Sequence, residues 1–327
     1  MDALNRSGAV DIIHPCNEMD SFSFSLNNIS SSMCVLLYIF LAFLAVVTVC
    51  GNLLIIISVG YFTQLRTPTN SLIISLSVTD LLVGLMVFPF SMAFSLSSCL
   101  LHAGFMCQVR DSFDVSLCTC SILNLCCIAI DRYYAVCHPL TYRAKMTNSV
   151  VVVMILVSWS ISGFIGIGIT IAGLNHEPCE ENCSLEVFLS STLGPTFSFY
   201  LPALIMLCIY LKILLVAQRQ ARIIHNNKNS GVTEIRLERK ATRTLAIVMG
   251  VFLICWTPLF VCITLVPFST DPVPISVIQT LNWVALINSM LNPFIYAFFY
   301  SWYRVAFRMI ISGKIFQGDY TNSKLLA

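Results

Sequence analysis

Residues 112–135, Ser112-Phe113-Asp114-Val115-Ser116-Leu117-Cys118-Thr119-Cys120-Ser121-Ile122-Leu123-Asn124-Leu125-Cys126-Cys127-Ile128-Ala129-Ile130-Asp131-Arg132-Tyr133-Tyr134-Ala135, read as a membrane helix with a carboxylate near one end and a charged triplet at the other. An ionisable side chain at bilayer depth is costly, so Asp114 marks a functional site that faces the protein interior. Seven residues earlier stands Cys107, where the helix should leave the outer leaflet. The order Cys107, Asp114, Asp131-Arg132-Tyr133 then runs down one helix from outside to inside. It suggests a cation site near the outside and a charged switch at the inside.

The rest of the chain repeats the apolar pattern. Of 327 residues 57% are apolar and 10% charged, against roughly 25% charged in soluble domains. Seven stretches approach the ~20 residues needed to cross the hydrocarbon core. They are Met33–Gly60, Asn70–Phe94, Gly104–Val136, Val150–Ala172, Glu186–Val216, Thr242–Val266 and Pro274–Phe299. Short polar connections make them one bundle. The expected fold is an all-α membrane protein: a tail over residues 1–32, seven transmembrane helices over 33–300, and an inner segment over 301–327. Within that segment Ser301 to Ser312 reads as a short amphipathic eighth helix, with Trp302, Tyr303, Phe307 and Met309 against Arg304 and Arg308. It should lie on the inner membrane surface, with lipid as its partner.

Charge gives the orientation. Of 18 Lys and Arg residues, 16 lie at one set of helix ends and loops, Arg6 and Arg110 being the exceptions. By the positive-inside rule that face is cytoplasmic and the amino terminus outside. No basic start followed by an apolar core occupies the first 32 residues, so no cleaved signal is expected and the first span should act as the anchor. The sequons at Asn5, Asn28 and Asn182 all fall on the outer side. Five cysteines, Cys16, Cys99, Cys107, Cys179 and Cys183, face that oxidising side. Their pairing does not follow from spacing. The third inner loop should be short and basic, about Gln218 to Glu238.

Polar and helix-breaking residues recur inside the apolar runs: Asn52, Asp80, Trp159, Pro202, Cys255-Trp256-Thr257-Pro258 and Asn292-Pro293-Phe294-Ile295-Tyr296. Proline in a membrane helix frees a carbonyl and kinks the helix where neighbours satisfy it. This set, in this order, resembles the rhodopsin-like G-protein-coupled receptors from about Gly51 to Phe307. The run from Asn288-Ser289 through Asn292-Pro293, Tyr296, Tyr300-Ser301-Trp302 to Tyr303 resembles the fingerprint of the trace amine-associated receptors, which normally carry Phe where Tyr303 stands. Gly313-Lys314-Ile315-Phe316 and Ser323-Lys324-Leu325-Leu326 look like the type-1 branch.

A carboxylate in a site of reduced dielectric attracts a protonated amine far more strongly than in water, and the resemblance gives Asp114 the same role. Helical spacing sets Val115, Cys118 and Thr119 beside or one turn below it. The resemblance makes Trp256 the floor, with Phe260 a turn above and Trp283 from the seventh helix. Aromatic walls suit a small amine through apolar burial and cation–π contact. Leu286 stands where amine receptors place a Tyr that bonds the anchoring Asp, and Leu259 replaces a frequent Phe. Gly194 and Pro195 occupy positions of catechol-binding serines, leaving Ser198, so a catechol is disfavoured. Asp111, one turn above Asp114, could hold a second amine or pair with Arg110. The acidic outer loops should draw cations in, or simply form a solvated surface. The resemblance also implies disulfides Cys107–Cys183 and Cys16–Cys179, with Cys99 left over.

The resemblance assigns the switch as well. Asp80 with Ser121, Asn288, Ser289 and Asn292 matches the family's sodium pocket, and that ion is the one cofactor-like group expected. Arg132 should pair with Asp131 and with Glu238 on the sixth helix, holding that helix inward beside Tyr133. Tyr210, Pro293 and Tyr296 would support the open form, and Ile122, Pro202 and Phe252 would connect ligand to switch. The implied function is a plasma-membrane receptor of multi-pass topology for small protonated amines, coupled to a heterotrimeric G protein of the stimulatory kind that raises cyclic AMP. Nucleic acid is not an expected partner.

Other classes leave traces that are missing here. A transporter of cationic amines should show internal repeats and paired broken helices, and the sequence has no repeat. An opsin needs a lysine in the seventh helix, and none lies between Asp271 and Trp302. No nucleophile–base pair or metal-ligand spacing suggests an enzyme. A receptor for another ligand class stays open, as does a silent one, since Leu100 stands for the usual Trp of the first outer loop.

Overall fold

The computed structural model describes residues 31–96, 105–174, 194–226, 232–269 and 273–314. Helices account for almost all of them. The first span is Ser31–Tyr61, the third Phe105–Cys137, the fourth Asn148–Leu174, the sixth Val232–Leu265 and the seventh Ile275–Phe299. Among the described residues six helices are long and apolar enough to cross a bilayer alone. The seventh qualifies only together with the helix that follows, from which it bends by 106°. Its apolar content is diluted by Gln279, Thr280, Asn282, Asn288, Ser289 and Asn292, of which the last three are buried.

The second and fifth spans are compound. Pro68–Leu82 passes through a π-turn, Val83–Val87, into Phe88–Leu96, and a second π-turn, Thr196–Tyr200, leads into Leu201–Asn226. Each turn ends two residues before a proline, Pro89 and Pro202. A proline ring clashes with the carbonyl four residues earlier, here Leu85 and Ser198. The widened turn moves that carbonyl aside, and the bonds become Phe88 N–H to Val83 O and Leu201 N–H to Thr196 O. Pro258 and Pro293 instead sit within continuous α-helix.

Apolar residues fill the core, but they also cover the outside, and several polar side chains lie within. Asn52, Asp80, Asn124 and Asp131 are 0% exposed, while Phe43, Leu156 and Leu211 are each 60% exposed. Lipid accepts the apolar faces, and every interior polar group must find a partner inside the protein. Trp159 Nε1 donates to Ser75 Oγ at 3.0 Å, and Asn52 Nδ2 donates to Ser289 O at 3.0 Å. Ser116 Oγ donates to Ser162 O at 2.6 Å, joining third and fourth spans. Small residues let backbones come this close. A Cβ on Gly51 would lie 2.8 Å from Pro293 Cγ, a ring that has little room to yield.

Three sequence expectations change. The third inner loop is far shorter than Gln218 to Glu238, because helix runs on to Asn226 and resumes at Val232. Residues 232–243, rich in Glu, Arg, Leu, Lys and Ala, are good helix formers despite their charge. The second inner loop contains an unexpected helix, Pro139–Lys145, opened by proline at its first position. The amphipathic helix is present as Ser301–Ile311, but Trp302 and Tyr303, assigned to its lipid side, are 5% and 3% exposed and pack into the bundle. Arg304 caps the seventh span, Nη1 donating to Ala297 O at 3.0 Å and Phe298 O at 2.9 Å, which satisfies two terminal carbonyls.

Replacing Gly51 with Ala should force the first and seventh spans apart. The expected cost is about 1–3 kcal/mol, read as a lower unfolding temperature of the purified protein. An unchanged unfolding temperature would contradict the close approach at Pro293.

Candidate functional site

In the outer half, Asp114 is half-buried on the third span and Val115 beside it likewise. Cys118, one turn below, and Thr119 are buried, Thr119 Oγ1 donating to Val115 O at 2.8 Å. Cys118 belongs to the same packed cluster as Ile122, Phe252, Trp256 and Leu259. Asp114 therefore stands one helical turn above a residue of the core cluster that also holds an aromatic assembly. Phe199 stacks on Phe260 at 4.3 Å and 8°, Phe260 lies 6.0 Å from Trp256, and Trp256 lies 6.1 Å from Phe252. Phe199 also meets Phe252 at 6.2 Å.

Sequence reasoning missed Phe199. It lies three residues before Pro202, on the same helical face, and both are buried, a spacing that would have found it. Ser198 next to it spends its hydroxyl on its own helix, donating to Gly194 O at 2.7 Å. Trp283, which the resemblance brings to the site from the seventh helix, has its ring neighbour in the second span. It packs on Phe88 at 5.8 Å, in a separate apolar cluster with Leu286, Leu117 and Val87. Leu286 is 1% exposed there. Lacking a phenol, it joins the apolar packing between the second, third and seventh spans.

At mid-bundle the five residues matched to a sodium pocket are all buried: Asp80, Ser121, Asn288, Ser289 and Asn292. Asn292 Nδ2 donates to Asp80 Oδ2 at 2.7 Å. Asp80 Oδ1, Asn288 Oδ1 and Asn292 Oδ1 are buried and have no hydrogen-bond partner. Unpaired buried oxygens are costly. A hard monovalent cation would satisfy them, so the donor set fits a sodium ion. Among the described residues no group of His, Cys, Asp and Glu has metal-holding geometry.

At the inner end Asp131 is enclosed. Arg132 Nε donates to Asp131 Oδ2 at 2.9 Å, and its Nη2 reaches both Asp131 and Thr69 Oγ1. Thr69 donates to Asp131 Oδ2 at 2.8 Å, and Tyr142 OH donates to Asp131 Oδ1 at 2.9 Å. Burial, then the neighbouring negative charge of Asp131, raises the Tyr142 phenol above its usual range, keeping it a donor. Thr69 and Tyr142 were not anticipated; Tyr142 rides on the inner-loop helix that no hydrophobic periodicity announces. Tyr133 OH lies 3.3 Å from His138 Nε2, and Lys212 Nζ stands 5.1 Å over the Tyr133 ring. Tyr210 and Tyr296 are buried, the latter with its hydroxyl unpartnered. The Glu238 side chain lies outside the described part of the sixth span, as do the side chains of Cys107 and Asp111 on the third. Cys16, Cys99, Cys179, Cys183, Asn5, Asn28 and Asn182 lie outside the described residues altogether.

Residues 51–296 match the family described as 7 transmembrane receptor (rhodopsin family). The chain belongs to that family. The receptor is 42% identical to trace amine-associated receptor 1 of Macaca mulatta over 95% of its own length and 97% of the relative's. Human trace amine-associated receptor 1 is likewise 42% identical over 95% and 97% of the two chains. Trace amine-associated receptor 2 of Rattus norvegicus is 39% identical, covering 95% and 94%. Within its family the receptor thus stands among the trace amine-associated members. It is a multi-pass membrane receptor and not an enzyme. The transporter reading falls with that membership.

Removing the Tyr142 hydroxyl leaves one oxygen of a buried carboxylate unsatisfied, worth about 1–3 kcal/mol. Tyr142→Phe should loosen Arg132 and raise basal second-messenger output at matched surface density. Basal output equal to wild type would show that Tyr142 does not restrain the switch.

Proposed function

We propose that the receptor responds to small protonated amines bound at Asp114 and passes the signal to a heterotrimeric G protein, of the stimulatory kind that raises cyclic AMP. The observation that carries this reading is the half-buried Asp114 carboxylate one turn above Cys118, a member of the core cluster that holds Phe199 and Trp256 and has Phe260 packed against it. A charge for the ammonium and rings for its apolar body are the two things a small amine requires. Ser198, turned back on its own backbone, offers little to a catechol. The relatives' names point the same way.

In this reading Val115, Cys118, Thr119, Leu259, Phe260 and Trp256 shape the pocket. Ile122, Pro202 and Phe252 relay its occupancy to Arg132, and Glu238 holds the sixth span inward as a second partner of Arg132. The amino terminus and its sequons face outside, with Cys107–Cys183 and Cys16–Cys179 tying the outer loops. A sodium ion held by Asp80, Ser121, Asn288, Ser289 and Asn292 would supply positive charge to the three unpartnered oxygens and stabilise the resting form.

Cells expressing the receptor should accumulate cyclic AMP when given monoamines. Asp114→Ala should cost more than about tenfold in potency, the loss of a charge-assisted pair in a shielded site, with surface density unchanged. Equal potency in the variant would remove Asp114 from the site. For the ion, replacing sodium in the buffer with a bulky organic cation should lower the unfolding temperature of wild type but not of Asp80→Asn. Indifference of wild type to sodium would end that part of the proposal.

A further inference from the structure

A cleft of about 530 Å³ opens at the inner face between the start of the second span, the start of the fourth and the inner-loop helix. That volume is within the ~300–1,000 Å³ usual for small-molecule sites. Its lining includes Arg66 and Arg143 with Thr67, Thr69, Tyr142 and Thr147, and no acidic residue. We propose that it binds the phosphorylated headgroup of an anionic lipid from the inner leaflet.

Charge comes first. Arg66 Nη2 spends one donor on Gly60 O at 2.8 Å, which fixes the side chain against the end of the first span; a guanidinium has five donors. Arg143 is exposed on Pro139–Lys145. Two helix N-termini converge on the same space. Thr67 caps the second span, accepting Asn70 N–H at 3.3 Å, and Thr147 caps the fourth, accepting Val150 N–H at 3.4 Å. Both ends carry positive partial charge. Asp131, which Thr69 and Tyr142 reach from within, is fully buried and paired with Arg132. Arg66 and Arg143 are thus the charged residues of the lining, against the partial negative charge at the end of Pro139–Lys145, whose cap Met146 also lines the cleft.

Depth argues for a lipid over a soluble phosphate. The lining residues lie just before, or in the first residues of, the apolar spans Pro68–Met92 and Asn148–Gly168, so the cleft falls at the level where those spans would meet the inner headgroups. The first turns of the fourth span leave Val150, Val152, Val153 and Leu156 40–60% exposed. Acyl chains would lie along that face while the phosphates enter the cleft. An occupant would touch Thr69 and Tyr142, the two residues that hold Asp131 from outside the third span. It would then bias the switch to the extent that it prefers one arrangement of that network.

The test uses the full-length receptor in neutral detergent with a fluorescent phosphatidylinositol bisphosphate, binding being read by anisotropy. Wild type should bind, and Arg143→Gln should bind about tenfold more weakly, as expected for losing one charge-assisted contact. Arg66→Gln/Arg143→Gln should bind more weakly still. Lys145→Gln, on the same short helix but outside the lining, should match wild type. Equal affinity of wild type and Arg143→Gln, or no binding at all, would overturn the proposal. An equal loss in Lys145→Gln would reduce it to diffuse surface charge and overturn it too. If soluble inositol trisphosphate displaces the probe at the same concentration as unlabelled lipid, the ligand is a free phosphate and the lipid assignment fails. These readouts need no amine response, so failure here leaves the Asp114 reading untouched.

Discussion

Asn292 donates to Asp80 across the centre of the bundle, and much of the interior is organised around that bond. The hydrocarbon offers no water, so a carboxylate at this depth must be satisfied by protein or by an ion. Asp80 fixes the second span against the seventh. Asn52 then fixes the first span to the same region through Ser289 O, and Gly51 beside it allows the backbone to reach Pro293. Three spans are thus positioned by one polar cluster whose own needs remain partly unmet at four oxygens, one each on Asn52, Asp80, Asn288 and Asn292. The residues that locate the helices are also the residues with capacity left for a cation.

Irregular backbone follows from the same economy of partners. The π-turns before Pro89 and Pro202 place bulges in the outer halves of the second and fifth spans. At the fifth span the bulge holds Phe199 in its stack with Phe260, since Thr196–Tyr200 contains it. The proline thereby sets the aromatic wall through the turn that precedes it, and not by a kink alone.

The spans were legible because lipid enforces a long apolar run with isolated polar breaks, a pattern that reads directly at Asn52, Asp80 and Asn292. Asp114 was legible for the same reason. Inner-loop structure was not, since solvent imposes no period on Pro139–Lys145 or on the charged start of the sixth helix. Tyr142 and Thr69 escaped notice because their importance arises only when an inner-loop helix folds back on Asp131. Trp283 illustrates the limit of a placement carried over by resemblance. One turn of uncertainty in the packing partner moves an aromatic ring from the Trp256 cluster to Phe88. The amphipathic helix showed its period, yet period alone does not say whether Trp302 faces lipid or protein.

The two charged ends work under different rules, and that difference locates the coupling. At the inner end Asp131 and Arg132 neutralise each other, and Thr69 and Tyr142 complete the carboxylate's bonds. At the outer end the same third span carries the half-buried Asp114, the proposed amine anchor, where a bound cation would change the local charge. A ligand shifts the equilibrium only by what it gains in one state over the other. Neutralising Asp114 alone gives no such difference unless something between the ends has two packings. The third span itself is a continuous helix from Phe105 to Cys137 and transmits little by bending. What lies between is the series of stacked and tilted rings Phe199, Phe260, Trp256 and Phe252, in one core cluster with Cys118 and Ile122. Close-packed cores resist continuous deformation and prefer discrete arrangements. Two such arrangements of these rings, one favoured by an amine filling the space beside Phe260, would move the sixth span relative to Arg132 without any charge crossing the bundle.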